Sequence, residues 1–188
     1  PETVLAMVQA RLEALDADNR RLLRAASVFG QVFWLGGVRA LLGGERASTR
    51  GLENWVADLQ NSEMIIARAQ SRFPGEREFV FRHAPLRDAA YTMLTPTDRA
   101  LGHRLAGEWL EQAGETSAPV LAEHFDRAGD HERAVRFYLR AAELALEGND
   151  YRTAIERSRK GIESGASGEL LARLHIVSAD AERLVGAI

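Results

Sequence analysis

Apolar residues recur at three- and four-residue spacing through most of the chain, the signature of amphipathic helices. Val4, Met7, Val8 and Leu12 predict a first helix over 3–14, opened by Thr3. Leu22, Leu23, Ala26 and Phe29 predict a second, closed by Gly30. Asp16 or Asp18 opens it, because a short acidic side chain accepts from the free N–H groups of a first turn. Val32-Phe33-Trp34-Leu35 is a dense apolar knot leading into a short helix through Val38, Leu41 and Leu42, which Gly43-Gly44 stops. Ser48 or Thr49 opens a fourth helix through Leu52, Trp55, Val56 and Leu59.

The period then changes. Met64-Ile65-Ile66-Ala67-Arg68 is short and β-prone, and Glu78-Phe79-Val80-Phe81-Arg82 alternates polar with apolar. The turn-rich stretch Ser71-Arg72-Phe73-Pro74-Gly75-Glu76 lies between them, so the two runs predict a β-hairpin with a long loop. Helical spacing returns after His83. Pro85 suits a first turn, and the stripe runs through Leu86, Ala89, Ala90 and Met93. Thr95-Pro96 starts a long helix through Leu101, Leu105, Trp109 and Leu110, ended by Gly114; Pro119 starts another through Leu121, Ala122 and Phe125.

An internal echo follows. Ala128-Gly129-Asp130-His131-Glu132-Arg133-Ala134-Val135 is answered by Glu147-Gly148-Asn149-Asp150-Tyr151-Arg152-Thr153-Ala154-Ile155. Each copy reads as a tight turn, a helix start and a small residue at a helix contact, as in a stacked helical array. A last helix spans 168–186 through Leu170, Leu171, Leu174, Val177 and Leu184. The expected fold class is therefore mainly α. Residues 1–83 read as a winged-helix-like domain, helices followed by one β-hairpin. Residues 84–188 read as a helical array that begins a tetratricopeptide-like superhelix.

Composition removes whole classes of chemistry. The 188 residues contain no cysteine, which excludes disulfides, Cys-ligated zinc and a Cys nucleophile. Lys160 is the single lysine beside 23 arginines, and it stands in Arg159-Lys160-Gly161, outside any G-x-x-x-x-G-K-[ST] frame. A P-loop, which needs that lysine on the phosphates, is absent from this stretch. So are the Gly-rich loop, strand lysine and catalytic Asp of a protein-kinase core. No apolar run approaches the roughly 20 residues that cross a bilayer, no signal peptide opens the chain, and a cytoplasmic location is expected. The start at Pro1 rather than Met gives the expectation of a piece of a longer polypeptide.

Several of these segments resemble the region that follows the P-loop domain of bacterial STAND-class signalling ATPases. Leu23-Arg24-Ala25-Ala26-Ser27-Val28-Phe29-Gly30-Gln31-Val32-Phe33 is similar to their apolar helix and "AA-V-hG-x-x-F" run. Phe79-Val80-Phe81-Arg82-His83 is similar to their phenylalanine-arginine-histidine run, and it continues into Ala84-Pro85-Leu86-Arg87-Asp88-Ala89-Ala90-Tyr91. Arg99-Ala100-Leu101-Gly102-His103 resembles their "R-x-x-x-H" helix start. From 119 onward the tetratricopeptide pattern is loose, and the first-helix tryptophan of its consensus is missing. The resemblance implies a winged helix, then tetratricopeptide-like repeats, in a parent that binds ATP and is often fused to a Ser/Thr kinase, a nucleotide cyclase or a DNA-binding domain. No cofactor is expected within this stretch itself. The implied function is non-catalytic: partner or inducer binding on the repeats is coupled to the nucleotide state of the ATPase domain. The resemblance further implies that Arg82 or His83 faces bound nucleotide, against the plainer alternative that His83 caps the following helix.

The remaining candidates point to binding rather than catalysis. Phe137, Tyr138 and Tyr151 lie in the repeat region, where such arrays bind peptides or partner domains on the concave face. His83, His103, His124, His131 and His175 form no compact metal spacing, although Glu123-His124 and His131-Glu132 are separated only by a turn. Asp16, Asp18, Asp98 and Asp150 stand at helix starts, and Glu143 and Glu147 read as a solvated helix face. A winged helix also invites a DNA-binding transcription regulator as the alternative. Its recognition helix, about 48–61, sets Arg50 against Glu53 and Asp58, and the hairpin mixes Arg68, Arg72 and Arg77 with Glu76 and Glu78. Phosphate binding needs a surplus of cations, so this balance argues against nucleic acid. Net charge is −3, and residues 101–188 carry 11 basic and 15 acidic side chains. A neutral or basic protein partner is expected there.

Overall fold

The computed structural model describes residues 8, 10–44 and 49–186. The expected opening residue Thr3, the stripe positions Val4 and Met7, and the cap Ser48 lie outside the described residues, as do the side chains of Thr49 and Arg50. The chain is mainly helical with a small antiparallel sheet, and its contacts divide it into two compact units, Pro1–Trp109 and Leu110–Ile188. The change of motif at 83/84 therefore precedes the division by contact.

In the first unit, helical backbone at 10–13 precedes α1 (Ala17–Phe29), β1 (Val32–Trp34), α2 (Leu35–Leu41) and α3 (Thr49–Asn61). Then come β2 (Ile65–Ala67), β3 (Glu78–Phe81), α4 (Ala84–Thr92) and α5 (Pro96–Ala113), the last of which carries the boundary between the units. Asp16 opens α1 by accepting from Asn19 N at 2.7 Å, and Gly30 closes it at φ +109°. The apolar stripe of α1 then buries Leu22, Leu23 and Ala26 against Leu52, Val56 and Leu59 of α3 and against the sheet. Helix α4 belongs to this unit because Leu86, Ala89 and Ala90 join the same core.

The expected hairpin is present, with Ile65 opposite Phe81 and Ala67 opposite Phe79. The structure corrects the expectation of a hairpin alone. Val32-Phe33-Trp34 forms a third strand on the other edge of β3, with Phe33 opposite Phe79. Three residues are too few to display a two-residue alternation, so the strand reads in sequence only as an apolar knot. Its pairing is extended by Phe81 N, which donates to Gln31 O at 3.0 Å. Phe33 stacks on Phe79 at 5.6 Å between ring centres.

Behind this sheet lies one buried carboxylate. Glu78 is 4% exposed and accepts from Trp34 Nε1 at 2.9 Å, Arg68 Nη1 at 2.9 Å and Arg72 N at 2.8 Å. A buried charge is tolerated only when paired and hydrogen-bonded, and these three donors meet that condition. They also fix the loop 68–77 to the sheet. Trp34 in turn packs among Phe73 at 4.8 Å and Trp109 at 5.8 Å, while Phe29 stands edge-on to Trp109 at 5.8 Å.

The second unit contains α6 (Ala118–Arg127), α7 (His131–Glu147), α8 (Tyr151–Glu163) and α9 (Gly168–Val185). Helix α7 packs on both α6 and α8, and α9 packs on α8 and α7. The sequence echo is a repeated turn. Gly129 and Asn149 take φ +73° and +59°, the left-handed region in which Gly and Asn are tolerated. Asp130 and Asp150 follow, with side chains accepting from Arg133 N and Thr153 N, each at 3.2 Å. The small residues of each copy, Ala134 and Ala154, are fully buried. Glu143 does not belong to a purely solvated face: it pairs with Arg173 and ties α7 to α9.

Two predictions follow from this packing. A methyl group at Gly37 would sit 2.6 Å from Phe29 Cζ and 3.1 Å from Trp109 Cε3; one at Gly161 would sit 2.9 Å from Leu174 Cδ1. Helix propensity favours Ala by about 1 kcal/mol, but overpacking costs about 1–3 kcal/mol. Gly37→Ala and Gly161→Ala are therefore each expected to lower the urea midpoint. Asp16 and Asp150 titrate below their ordinary 3.8, through the bonds from Asn19 N and from Thr153 respectively. A carboxyl lowered in the folded state contributes stability that is present above its unfolded pKa and lost as pH falls through the folded value. Urea midpoints measured from pH 5 down to pH 2.5 should fall less steeply for Asp16→Asn/Asp150→Asn than for the parent chain.

Candidate functional site

In the second unit, α6 and α8 carry matching polar stripes at their C-terminal ends. On α6 these are Glu123, Asp126 and Arg127; on α8, Lys160, Glu163 and Ser164. Spacing of i, i+3 and i+4 puts each trio on one helix face. The two stripes meet across α7 and enclose a cleft of about 340 Å³, with Tyr138 of α7 in its wall and His131 at the start of α7 completing it.

Cross-links between the stripes hold the cleft together. Ser164 Oγ donates to Asp126 Oδ1 at 2.6 Å. Glu123 receives Arg157 at 3.4 Å and Lys160 Nζ at 3.7 Å. Glu163 pairs with Arg159 at 2.5 Å along α8. Tyr138 is 2% exposed, and among the described residues its hydroxyl has no hydrogen-bond partner. Burial, and then the charges of Asp126 and Glu123, push its pKa up to about 12. The phenol is therefore a neutral donor at physiological pH. Arg127 is exposed and, like His131, makes no ion pair among the described residues.

The three aromatic candidates do not share one surface. Tyr138 alone enters the cleft. Phe137 is half-buried and stacks on Phe125 at 5.7 Å, whose ring also carries Arg133 at 4.1 Å. Tyr151 packs against the core of the helical unit and donates through its hydroxyl to Asn149 Oδ1 at 2.9 Å. Sequence reasoning missed the polar residues that line the cleft around Tyr138. The available signal was the chain's single lysine, together with the same charged spacing at the ends of two helices.

Arg82 and His83 lie in the first unit, at the junction of β3 and α4, and both are exposed. Arg82 reaches Glu63 at 3.3 Å. His83 holds the residue position before α4 with extended backbone but makes no capping bond with its side chain. Arg99 and His103 converge on Tyr91: Arg99 lies over the ring at 4.9 Å, and the Tyr91 hydroxyl is 2.8 Å from His103 Nε2. Among the described residues no group of His, Asp and Glu side chains is arranged to hold a metal ion.

The tyrosine chemistry gives a direct check. Tyrosinate absorbance during an alkaline titration should show one tyrosine ionising near 12, and that step should vanish in Tyr138→Phe. Asp126→Asn should bring the step to lower pH, because it removes the larger of the two charges acting on the hydroxyl. An acid raised in the folded state favours folding below its unfolded pKa, so this stabilising difference is lost as pH rises from 10 toward 12.

No protein-family model, curated protein or solved structure matches the chain.

Proposed function

We propose that this chain is a non-catalytic regulatory and protein-interaction region of a larger cytoplasmic signalling ATPase of the STAND class. The helical unit binds a partner or inducer, and the first unit passes that event to the ATPase domain. The observation that carries the reading is the cleft over Tyr138: two helices present matched polar stripes, bridged to each other, over a tyrosine whose ring is buried and whose side chain borders the cleft. A built recess of this kind suits recognition better than general acid–base or nucleophilic work.

The element order of the first unit supports its reading as a winged helix. A strand between the first two helices and a hairpin after the third form a three-stranded sheet with the last strand central. Repeated helix pairs with buried alanines at matching positions support a tetratricopeptide-like array. Coupling then needs only differential contacts: a ligand that binds one arrangement of the parent better than another shifts the population toward it.

The hairpin arginines bear on the DNA-binding alternative. Arg68 pairs with buried Glu78, Arg72 lies over Phe73 and Arg77 lies over Phe79. These arginines stay exposed, but Arg68 is already paired with a carboxylate, and Glu76 stands in the same loop. A low-salt mobility-shift assay is accordingly expected to show no retardation of duplex DNA, and tight, salt-sensitive binding would contradict this.

Arg82 and His83 are exposed where the resemblance sets nucleotide contact. In the full-length polypeptide, His83→Ala or Arg82→Ala is expected to weaken ATP binding about tenfold, the effect of losing one hydrogen bond to a charged group. Unchanged nucleotide affinity in both variants would contradict the coupling role.

A further inference from the structure

We infer that the cavity between α1, α2 and the first half of α5 is a binding site for a free aliphatic α-amino acid. Arg24 takes the ligand's carboxylate, Asp98 its ammonium group, and the apolar interior its side chain. The site lies wholly within the first unit and does not depend on the reading of the helical unit.

The cavity lies where α5 crosses close to α1. Gly102 permits that approach: a methyl group there would sit 3.1 Å from Val28 Cγ2 and 3.9 Å from Leu41 Cδ2. Beside this contact is a space of about 180 Å³. Ala25 and Val28 of α1, both buried, face it together with Leu41, Leu101 and Leu105. Leu101 is 45% exposed, so the apolar lining continues to the surface. An apolar cavity of about 150 Å³ accepts a molecule the size of benzene. This one therefore suits a branched aliphatic side chain whose polar end stays at the mouth.

Three charged side chains line the same space, Arg21, Arg24 and Asp98. Arg21 is exposed and donates to Leu42 O at 3.3 Å. Arg24 is half-buried, and its Nε is sealed from solvent without a partner. Arg99 and Arg157 also carry such a nitrogen, but their guanidinium groups reach Thr92 O and Glu123. That of Arg24 makes no hydrogen bond or ion pair among the described residues. A buried donor without an acceptor costs its own desolvation, so this guanidinium has capacity for an incoming carboxylate, which it can hold through parallel hydrogen bonds.

Asp98 decides what else the ligand carries. Its backbone N–H donates to Thr95 Oγ1 at 3.1 Å, while its carboxylate bonds to nothing among the described residues. Arg24 on α1 and Asp98 on α5 thus border one cavity without closing on each other. A ligand with a carboxylate alone meets Arg24 but is repelled by Asp98, and an amine alone meets the reverse. A zwitterion brings an acceptor to one helix and a donor to the other, and the leucines of the lining take its aliphatic chain.

Calorimetric titration of the full 188-residue chain at neutral pH with L-leucine, N-acetyl-L-leucine, L-leucinamide and L-alanine tests each part of this. L-Leucine should bind. The acetylated and amidated compounds each lack one charge and should bind at least about tenfold more weakly, the size of one charged hydrogen bond. L-Alanine, with less apolar surface to bury, should also lose at least about tenfold. Exposed Asp98→Asn should keep the parent's melting temperature and lose about tenfold in leucine affinity, with N-acetyl-L-leucine binding unchanged or tightened. Arg24→Gln should lose leucine affinity while keeping that for leucinamide; if its melting transition is lost, Asp98→Asn alone decides. No leucine binding at millimolar concentration, N-acetyl-L-leucine or alanine binding as tightly as leucine, or leucine affinity unchanged in Asp98→Asn would overturn the inference. Each of these results would leave the partner-binding reading of the helical unit standing. That reading fails separately if the parent polypeptide contains no ATPase domain.

Discussion

Close approach of helices over small residues decides the geometry of the second unit. Gly161 of α8 lies between Tyr138 of α7 and Leu174 of α9, with no room for a methyl group on either side. Ala134 and Ala154 are fully buried at matching places in the two repeated turns. Larger side chains would separate the helices by several tenths of an ångström at each contact, and packed interiors resist such shifts. With α7 held this close to α8, the ring of Tyr138 lies beneath the end of α8, and the polar stripes of α6 and α8 come within bonding distance of each other. The cleft is thus a consequence of what the core will accept. The chemistry of its rim is a second decision, made by residues that contribute little to that core.

The first unit uses a different device. Its sheet is short, three strands of three or four residues, and so gains little from ladder hydrogen bonds alone. Stability comes from the apolar faces of α1 and α3 on one side, and from Glu78 gathering Trp34, Arg68 and Arg72 on the other. Removing one partner of such a group leaves a buried charge exposed to its own desolvation cost, so the strand, the loop and the aromatic cluster are mutually dependent. This gives the region carrying Arg82 and His83 a defined place at the end of β3.

The helices were legible because their stripes are long enough to show a period, and the caps because Asp16, Asp130 and Asp150 precede a stripe directly. The hairpin was legible from Phe79 and Phe81 flanking Val80. Strand β1 was not, since three consecutive apolar residues fit a strand, a helix start or a loop anchor equally well. The echo around Gly129 and Asn149 was visible as residues and proved to be one turn built twice. The cleft escaped because its components are ordinary charges in sequence. Lys160, Ser164 and Asp126 acquire meaning only when two helices stand side by side, and a composition count cannot distinguish an engaged carboxylate from a free one. Tyr138 was visible as an aromatic of the array, but its burial and its lone hydroxyl were not.

Close packing over Gly161 brings the polar stripes of α6 and α8 together around Tyr138. The most direct measurement is a crystal structure of Gly161→Ala beside one of the parent chain. The expected result is α8 moved away from α7 and α9 by several tenths of an ångström, with the Ser164–Asp126 hydrogen bond, 2.6 Å in the parent, lengthened or lost. Helices in the parent's positions with that bond intact would contradict it.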